Sequence, residues 1–313
     1  MKNQLLLNQI LNLIVALRPI QWLKNTVVFA AIIFSRDFFI STKFYPVLYT
    51  FFVFSIASSA MYLINDIADR PGDKLHFSKR YRPVASGKIS TLTALVTALF
   101  LASVATTGAI YISKYLFLII VIYFTTQLLY TFWLKKIIIL DILIIAFAFM
   151  LRVFAGSIVV STALSAWLIL TTIMLSLFLA IGKRRSELTL TRGADASKYR
   201  YTLLFYPPKL LDGLTFMMAT STLITYSLFT FISPETTQRE FFAAFFPRTL
   251  SSPKMLMATI PIVLYGIFRY LYLIFEKSEG ESPEKVFLSD KPLFTSVLVW
   301  FLSVILILYF FSI

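Results

Sequence analysis

Residues 45–73 read YPVLYTFFVFSIASSAMYLINDIADRPGD. The stretch 45–64 is apolar or small throughout, about the length that crosses a hydrocarbon core as an α-helix. The stretch 65–73 then holds Asn65, Asp66, Asp69 and Asp73. Carboxylates at the mouth of an apolar helix are costly unless something cationic meets them, and ionisable groups so close to lipid are retained for function. The next residues, KLHFSKRYRPVASGKIS, carry Lys74, His76, Lys79, Arg80, Arg82 and Lys88.

The rest of the chain has the same character. Of 313 residues, 58% are hydrophobic and 14% charged, with a mean hydropathy of +0.82. A soluble domain carries about 25% charged residues, so an all-α, polytopic membrane protein is expected. Apolar runs mark nine transmembrane helices, near 26–42, 45–64, 91–112, 115–133, 138–160, 163–182, 209–232, 255–275 and 293–312. These form one membrane domain over residues 1–313. Residues 1–25 are set apart as an interfacial amphipathic segment, because Gln4, Asn8 and Asn12 recur at helical spacing. The segments 65–90 and 183–208 are expected as loops.

The net charge of +14 follows from Lys and Arg gathered on one side of the bilayer, so no nucleic-acid partner is expected. With the N-terminus inside, 21 of the 29 Lys and Arg fall in inner segments. Only Arg36, Lys43, Lys114, Arg239, Arg248 and Lys254 fall outside, and Arg152 and Arg269 lie in or near spans. That asymmetry places both loops in the cytosol.

The chain has no cysteine and one histidine. Thiol catalysis, Fe–S clusters and zinc sites built on Cys or several His are excluded. Any metal must bind through oxygen, which favours Mg²⁺. Asn65, Asp66 and Asp69 stand at i, i+1 and i+4 on a helix continuing from the second span, so their oxygens share one side. Pro71-Gly72 is expected to break that helix near Arg70, leaving Asp73 to approach from the following turn. Metal ligands beside phosphate-binding cations suit a diphosphate–Mg²⁺ complex. The plainer alternative is a solvated loop whose acids pair with Arg70, Lys74 and Lys79.

At these residues the chain resembles the UbiA superfamily of membrane prenyltransferases, whose aspartate signature matches NDIADRPGD at Asn65, Asp66, Asp69 and Asp73. The likeness covers nearly the whole chain: RPIQWLKN at 18–25, HFSKRYRPVASG at 76–87, YTFWLKKIIILDILIIAFAFMLRVFAG at 130–156, LFLAIGKRRSEL at 177–188 and SDKPL at 289–293. Superfamily members that prenylate aromatic acceptors carry a second aspartate-rich motif after the sixth span. Here that place reads GKRRSELTLTRGADAS, dominated by Lys183, Arg184 and Arg185, with Glu187 and Asp195 as its acids.

That departure favours a branch handling several phosphates. The resemblance then implies transfer of a 5-phosphoribosyl group from phosphoribosyl diphosphate to a polyprenyl phosphate, releasing diphosphate, for cell-envelope glycan precursors. It implies a bacterial-type plasma-membrane enzyme with a cytosol-facing site. Mg²⁺ is expected on Asn65, Asp66, Asp69 and Asp73. Substrate and phosphate contacts are expected from Lys24, Asn25, Lys79, Arg82, Tyr130, Lys135, Arg152, Lys183, Arg184, Arg185 and Glu187. RPIQWLKN reads either as an interfacial belt, with Trp22 at headgroup depth and Arg18 and Lys24 snorkelling, or as phosphate contacts from Gln21, Lys24 and Asn25, and Arg269 as a snorkelling or lipid-phosphate contact. Prenyl transfer to an aromatic acceptor is the alternative enzyme reading. A transporter wants polar positions spread through its spans, which this chain lacks.

Overall fold

The computed structural model describes residues 2–76, 79–190, 205–232, 254–276 and 283–311, with side chains from Leu7. All regular structure among them is helical. The α-helices are α1 (Lys2–Leu17), α2 (Ala30–Phe34), α3 (Ser41–Leu75), α4 (Thr91–Ile112), α5 (Lys114–Phe132) and α6 (Leu140–Val159). They continue as α7 (Ala166–Leu190), α8 (Pro208–Ile232), α9 (Ile260–Phe275), α10 (Pro283–Ser289) and α11 (Lys291–Leu306).

Eight helical segments among the described residues are long and apolar enough to span a bilayer. They fall where eight of the expected spans lie. The expected first span differs. Residues Pro19–Phe34 form a shorter apolar element, 3₁₀ over Pro19–Phe29 and α over α2. A 3₁₀ helix rises about 2 Å per residue against 1.5 Å for an α-helix, so this element has a contour of about 30 Å. That matches a hydrocarbon core, which is why a count of eight long helices and nine expected crossings describe similar chains.

Two compact units emerge, and each has its own interior. Unit 1 comprises residues 1–30, 41–162 and 191–206. Here α1 stops at Leu17 because Arg18 precedes Pro19, whose ring disfavours helix in the residue before it. The 3₁₀ element then runs antiparallel to α3. Trp22 Nε1 donates to Ser59 Oγ at 3.0 Å, Asn25 Nδ2 to Ser55 Oγ at 3.1 Å, and the Phe29 ring meets Phe51 at 5.9 Å. Trp22, expected at headgroup depth, thus also makes a helix-to-helix contact. On the other side, a Cβ at Gly156 of α6 would collide with the Val28 carbonyl, so only glycine permits that approach. Against α3, α4 presents Ala94, Ala98, Ala105 and Ala109, all 0% exposed. Small residues let helices approach closely where lipid offers no hydrophobic drive.

Unit 2 comprises residues 31–40, 163–190 and 207–313. Its core joins Phe178, Ala219, Ile267, Tyr270, Leu273, Ile274, Val286 and Leu293. At its other end Trp300 Nε1 donates to Tyr226 Oη at 2.7 Å. Arg269 forms a two-pronged pair with Asp290, at 3.0 and 2.7 Å, and Asp290 also caps α11 by accepting the Leu293 N–H. Arg269, expected to snorkel or to reach lipid phosphate, thus also clips α9 to the start of α11.

Candidate functional site

At 35 residues, α3 outruns a bilayer core. It also runs through Pro71, contrary to the expected break. The reason is visible around the proline. Asp66 and Asp73 are two turns apart on one face, and Arg82 Nη1 donates to Asp66 Oδ1 at 3.2 Å and Asp73 Oδ2 at 2.7 Å. That clip bridges the hydrogen bond which Pro71 cannot make. The expected 65–90 loop is thus helical to Leu75, and Asp73 sits on the helix with the other acids.

Arg82 arrives from the 3₁₀ turn Lys79–Tyr81. The Lys79 backbone N–H donates to His76 Nδ1 at 3.3 Å, so the histidine serves the turn. Arg18 adds a second guanidinium to Asp66 Oδ1. It does so from a left-handed backbone, φ 54 and ψ 61, with its guanidinium 5.0 Å from the centre of the Tyr62 ring. Such a conformation persists only where surroundings fix it. One step around α3, Asn65 Nδ2 donates to Asp69 Oδ2 at 3.0 Å. Lys135, on the turn after α5, donates to Asp69 Oδ1 and also reaches Asn65 Oδ1 at 3.4 Å.

Three carboxylates therefore meet three cations here. Asp66 is 1% exposed, and its Oδ2 is buried without a hydrogen-bond partner. A buried carboxylate oxygen left unpaired is expensive, and a cation would satisfy it. Among the described residues, no three Asp, Glu or His side chains converge to enclose an ion by themselves. An all-oxygen, incompletely enclosing donor set suits Mg²⁺, which binds through one or two carboxylates, keeps water and takes phosphate oxygens. The residues fit a metal shared with a phosphate ligand.

The other expected residues of unit 1 are placed as follows. Lys24 Nζ donates to Gln21 Oε1 at 2.6 Å. Asn25 is 0% exposed, and Arg152 Nε donates to its Oδ1 at 2.6 Å. Arg152 is stacked among Phe54, Tyr123 and Phe149. Both sit deep between helices rather than beside the acids: Asn25 lies level with Ser55 and Ser58, two or three turns before Asp66. Tyr130 lies in the last turns of α5, half-buried.

In unit 2, Lys183, Arg184, Arg185 and Glu187 were expected in a loop but stand on α7, which continues to Leu190. Arg184 is 1% exposed and donates to Glu187 at 2.8 Å. Lys183 lies 4.0 Å from the same carboxylate. Arg185 pairs with Asp212 at 3.0 Å and lies over the Phe275 ring. Local pairing at i+3 and i+4 stabilises helix, which explains the extension past the apolar run. Asp195 lies outside the described residues.

Sequence reasoning missed Arg18 as a partner of the acids. Its signal was the Arg-Pro step that ends α1, which forces the chain to turn beside α3. It also missed Tyr206, taken up below.

The sequence pattern of the UbiA prenyltransferase family matches residues 26–298, and the chain belongs to that family. Within it, the chain is 31% identical over 301 residues to decaprenyl-phosphate phosphoribosyltransferase of Mycobacterium tuberculosis strain H37Rv, covering 95% of this chain and 94% of that one. The enzyme of the same name from Corynebacterium glutamicum is 32% identical over 302 residues, covering 95% and 86%. Among solved structures, a UbiA homolog from Archaeoglobus fulgidus bound to GPP and Mg²⁺ superposes with a TM-score of 0.68 at 17% identity, over 95% of this chain and 99% of that one. That likeness is one of fold.

Proposed function

We propose that this protein transfers a 5-phosphoribosyl group from phosphoribosyl diphosphate to the phosphate of a polyprenyl lipid, releasing diphosphate. The reading rests on identity with enzymes of that name along nearly the whole chain. The acid-and-cation end of α3 supplies what such a reaction needs. Asp66 and Asp69, with Asn65 and Asp73, would hold Mg²⁺. The metal, when bound, supplies positive charge to the departing diphosphate. Arg82, Lys135 and Lys79 would fix phosphate oxygens and orient the ribose for attack. Lys24, Asn25, Tyr130 and Arg152 are proposed as further substrate contacts in unit 1. Lys183, Arg184, Arg185 and Glu187 are proposed as a phosphate-binding face of unit 2. The acceptor phosphate is already an anion, so no strong general base is called for. The site is proposed to face the cytosol across a bacterial plasma membrane, where a charged, soluble donor is made, and the product to feed cell-envelope glycan synthesis.

The test uses purified protein, labelled phosphoribosyl diphosphate and polyprenyl phosphate, with and without Mg²⁺. Label in the lipid phase and release of diphosphate, both lost on chelation, are expected. Indifference to phosphoribosyl diphosphate, with incorporation from a polyprenyl diphosphate into an aromatic acid, would overturn the reading in favour of prenyl transfer.

A further inference from the structure

The connection between α5 and α6 carries both a strained backbone and Lys135. Of the four non-glycine residues with positive φ among those described, Arg18, Arg36, Ile139 and Ser161, only Ile139 is β-branched. Its φ of 69° and ψ of −45° lie near the rare γ-turn geometry. A β-branched side chain is strongly disfavoured there. Ile139 is also the N-cap of α6, and it has no side chain able to cap a helix.

Tyr206 stands in for what the sequence lacks at that point. Its hydroxyl accepts the Ile139 N–H at 2.7 Å and donates to Asp141 Oδ1 at 2.7 Å. Tyr206 is 2% exposed and Asp141 0%. Beyond Ile139, the Ile142 and Leu143 N–H groups both donate to its carbonyl at 3.0 Å, so α6 begins from this fixed peptide. Before it, the Ile137 N–H donates to Leu134 at 3.1 Å and the Lys136 N–H to Trp133 at 3.0 Å. These bonds close the short turn that holds Lys135. Restraint at Ile139 is thus carried through four residues to the ammonium that meets Asp69 and Asn65.

We infer that Tyr206 and Asp141 are positioning residues: the phenol–carboxylate pair locks Ile139 in its strained conformation and so presents Lys135 to the acids of α3. Both act through Ile139 and Lys135. The consequence for turnover rests on the proposed function, in which Lys135 holds a phosphate, whereas the consequence for geometry does not.

Since the chain has no cysteine, a D69C/K135C pair in the full-length protein gives a direct geometric readout through a short bis-methanethiosulfonate linker. Adding Tyr206→Phe keeps the ring and removes the hydroxyl. We expect at least a fivefold loss of crosslink. In the cysteine-free enzyme, the same change should raise KM for phosphoribosyl diphosphate about tenfold, with kcat altered less. Ile139→Gly added to Tyr206→Phe should restore both to within about twofold, because glycine adopts positive φ without restraint. A role in packing alone gives no such rescue.

Undiminished crosslinking in Tyr206→Phe overturns the inference, as does a double variant that keeps its unfolding temperature but fails to recover. Should Tyr206→Phe not fold, the double variant must fold and crosslink, and failure there also overturns it. Crosslinking that depends on Tyr206 in a protein inactive on phosphoribosyl diphosphate would leave this inference standing and remove the proposed function instead.

Discussion

The acid-bearing end of α3 and the basic end of α7 use the same residue types in opposite proportion, and they neutralise them differently. On α7 the buried arginine is balanced at close range in sequence: Arg184 meets Glu187 three residues away. On α3 the partners come from afar, Arg18 at 48 residues, Arg82 at 16 and Lys135 at 66. Bringing distant segments together costs loop-closure entropy. A chain that only needed to neutralise Asp66 could have done so on its own helix. The α3 arrangement also leaves one Asp66 oxygen without a partner, while both oxygens of Glu187 face cations. On α7 the acid is satisfied within its own helix, whereas on α3 the cluster is incompletely satisfied, which supports proposing it as the ligand site.

Removing one charged partner from each cluster tests that contrast at its largest. Asp66→Asn preserves shape and should lower phosphoribosyl transfer about a thousandfold, the scale seen when one preorganised electrostatic contact to a transition state is lost, with a far smaller loss of folded protein, because an amide oxygen still accepts from the guanidiniums and Arg82 keeps Asp73. If Asp66→Asn lowers stability and activity in step, the α3 cluster is structural like its counterpart. Arg184→Ala weighs on stability instead. It removes the nearer of two cations from the buried Glu187 carboxylate and leaves Lys183 at 4.0 Å, so a loss of about 3 kcal/mol of stability is expected. Thermal unfolding in detergent read alongside turnover then separates the roles: a loss of activity beyond the folded fraction supports the proposed phosphate contact, and a loss that only follows it makes Arg184 a structural partner.

Glycines carry the same comparison into packing. Gly156 faces the Val28 carbonyl, and a backbone atom cannot step aside, so Gly156→Ala should cost about 2 kcal/mol. At Gly182 of α7 a Cβ would come within 2.6 Å of Ile274 Cδ1, the far end of a flexible side chain. Gly182→Ala should therefore cost well under half as much. Equal losses would mean that the 3₁₀ element is not held as closely to α6 as Val28 and Gly156 indicate.

The spans were legible because lipid imposes a length and a composition on whatever crosses it, and eight expected segments match helices to within a few residues at most ends. The departures share one feature: side-chain pairing overrides the rules that stop a helix at Pro71 or at the end of an apolar run. Arg82 holds α3 through its proline. On α7, side-chain pairs close by carry the helix beyond the hydrocarbon. The acids could be read from the sequence because their spacing is local. Arg18 and Tyr206 could not, since each acts across the fold on a residue 48 or more positions away. The 3₁₀ form of Pro19–Phe29 was equally hidden, because its residues look like any apolar run.

Lys183 offers a finer division within the α7 cluster. It is the outermost of the three cations there, with its side chain 34% exposed against 1% for Arg184. If that face binds phosphate, Lys183→Ala should raise the half-saturating phosphoribosyl diphosphate about tenfold, or 1.4 kcal/mol, with unfolding unchanged. An unaltered value would leave α7 with structural pairs only.

The smallest effect expected concerns the connection between α4 and α5, where Ser113 serves two helices. Its N–H closes α4 on the Ala109 carbonyl at 2.9 Å, and its hydroxyl accepts the Tyr115 N–H at 3.2 Å to cap α5. Ser113→Ala keeps the first bond and removes the second, so the loss should be about 0.5–1 kcal/mol. Ser113→Gly should cost less, since glycine is a tolerable N-cap. Because α5 leads into the turn that carries Lys135, the two variants also ask whether fraying far from the acids is felt there. The Tyr206 restraint lies between Lys135 and α6, not between Lys135 and the start of α5, and α5 supplies 19 residues of packed helix in between. Crosslinking of the 69–135 cysteine pair should therefore be unchanged in Ser113→Ala. A fall there would mean that Lys135 is held from α5, and the contrast between locally and distantly built charge clusters would have to be redrawn with α5 as part of the site.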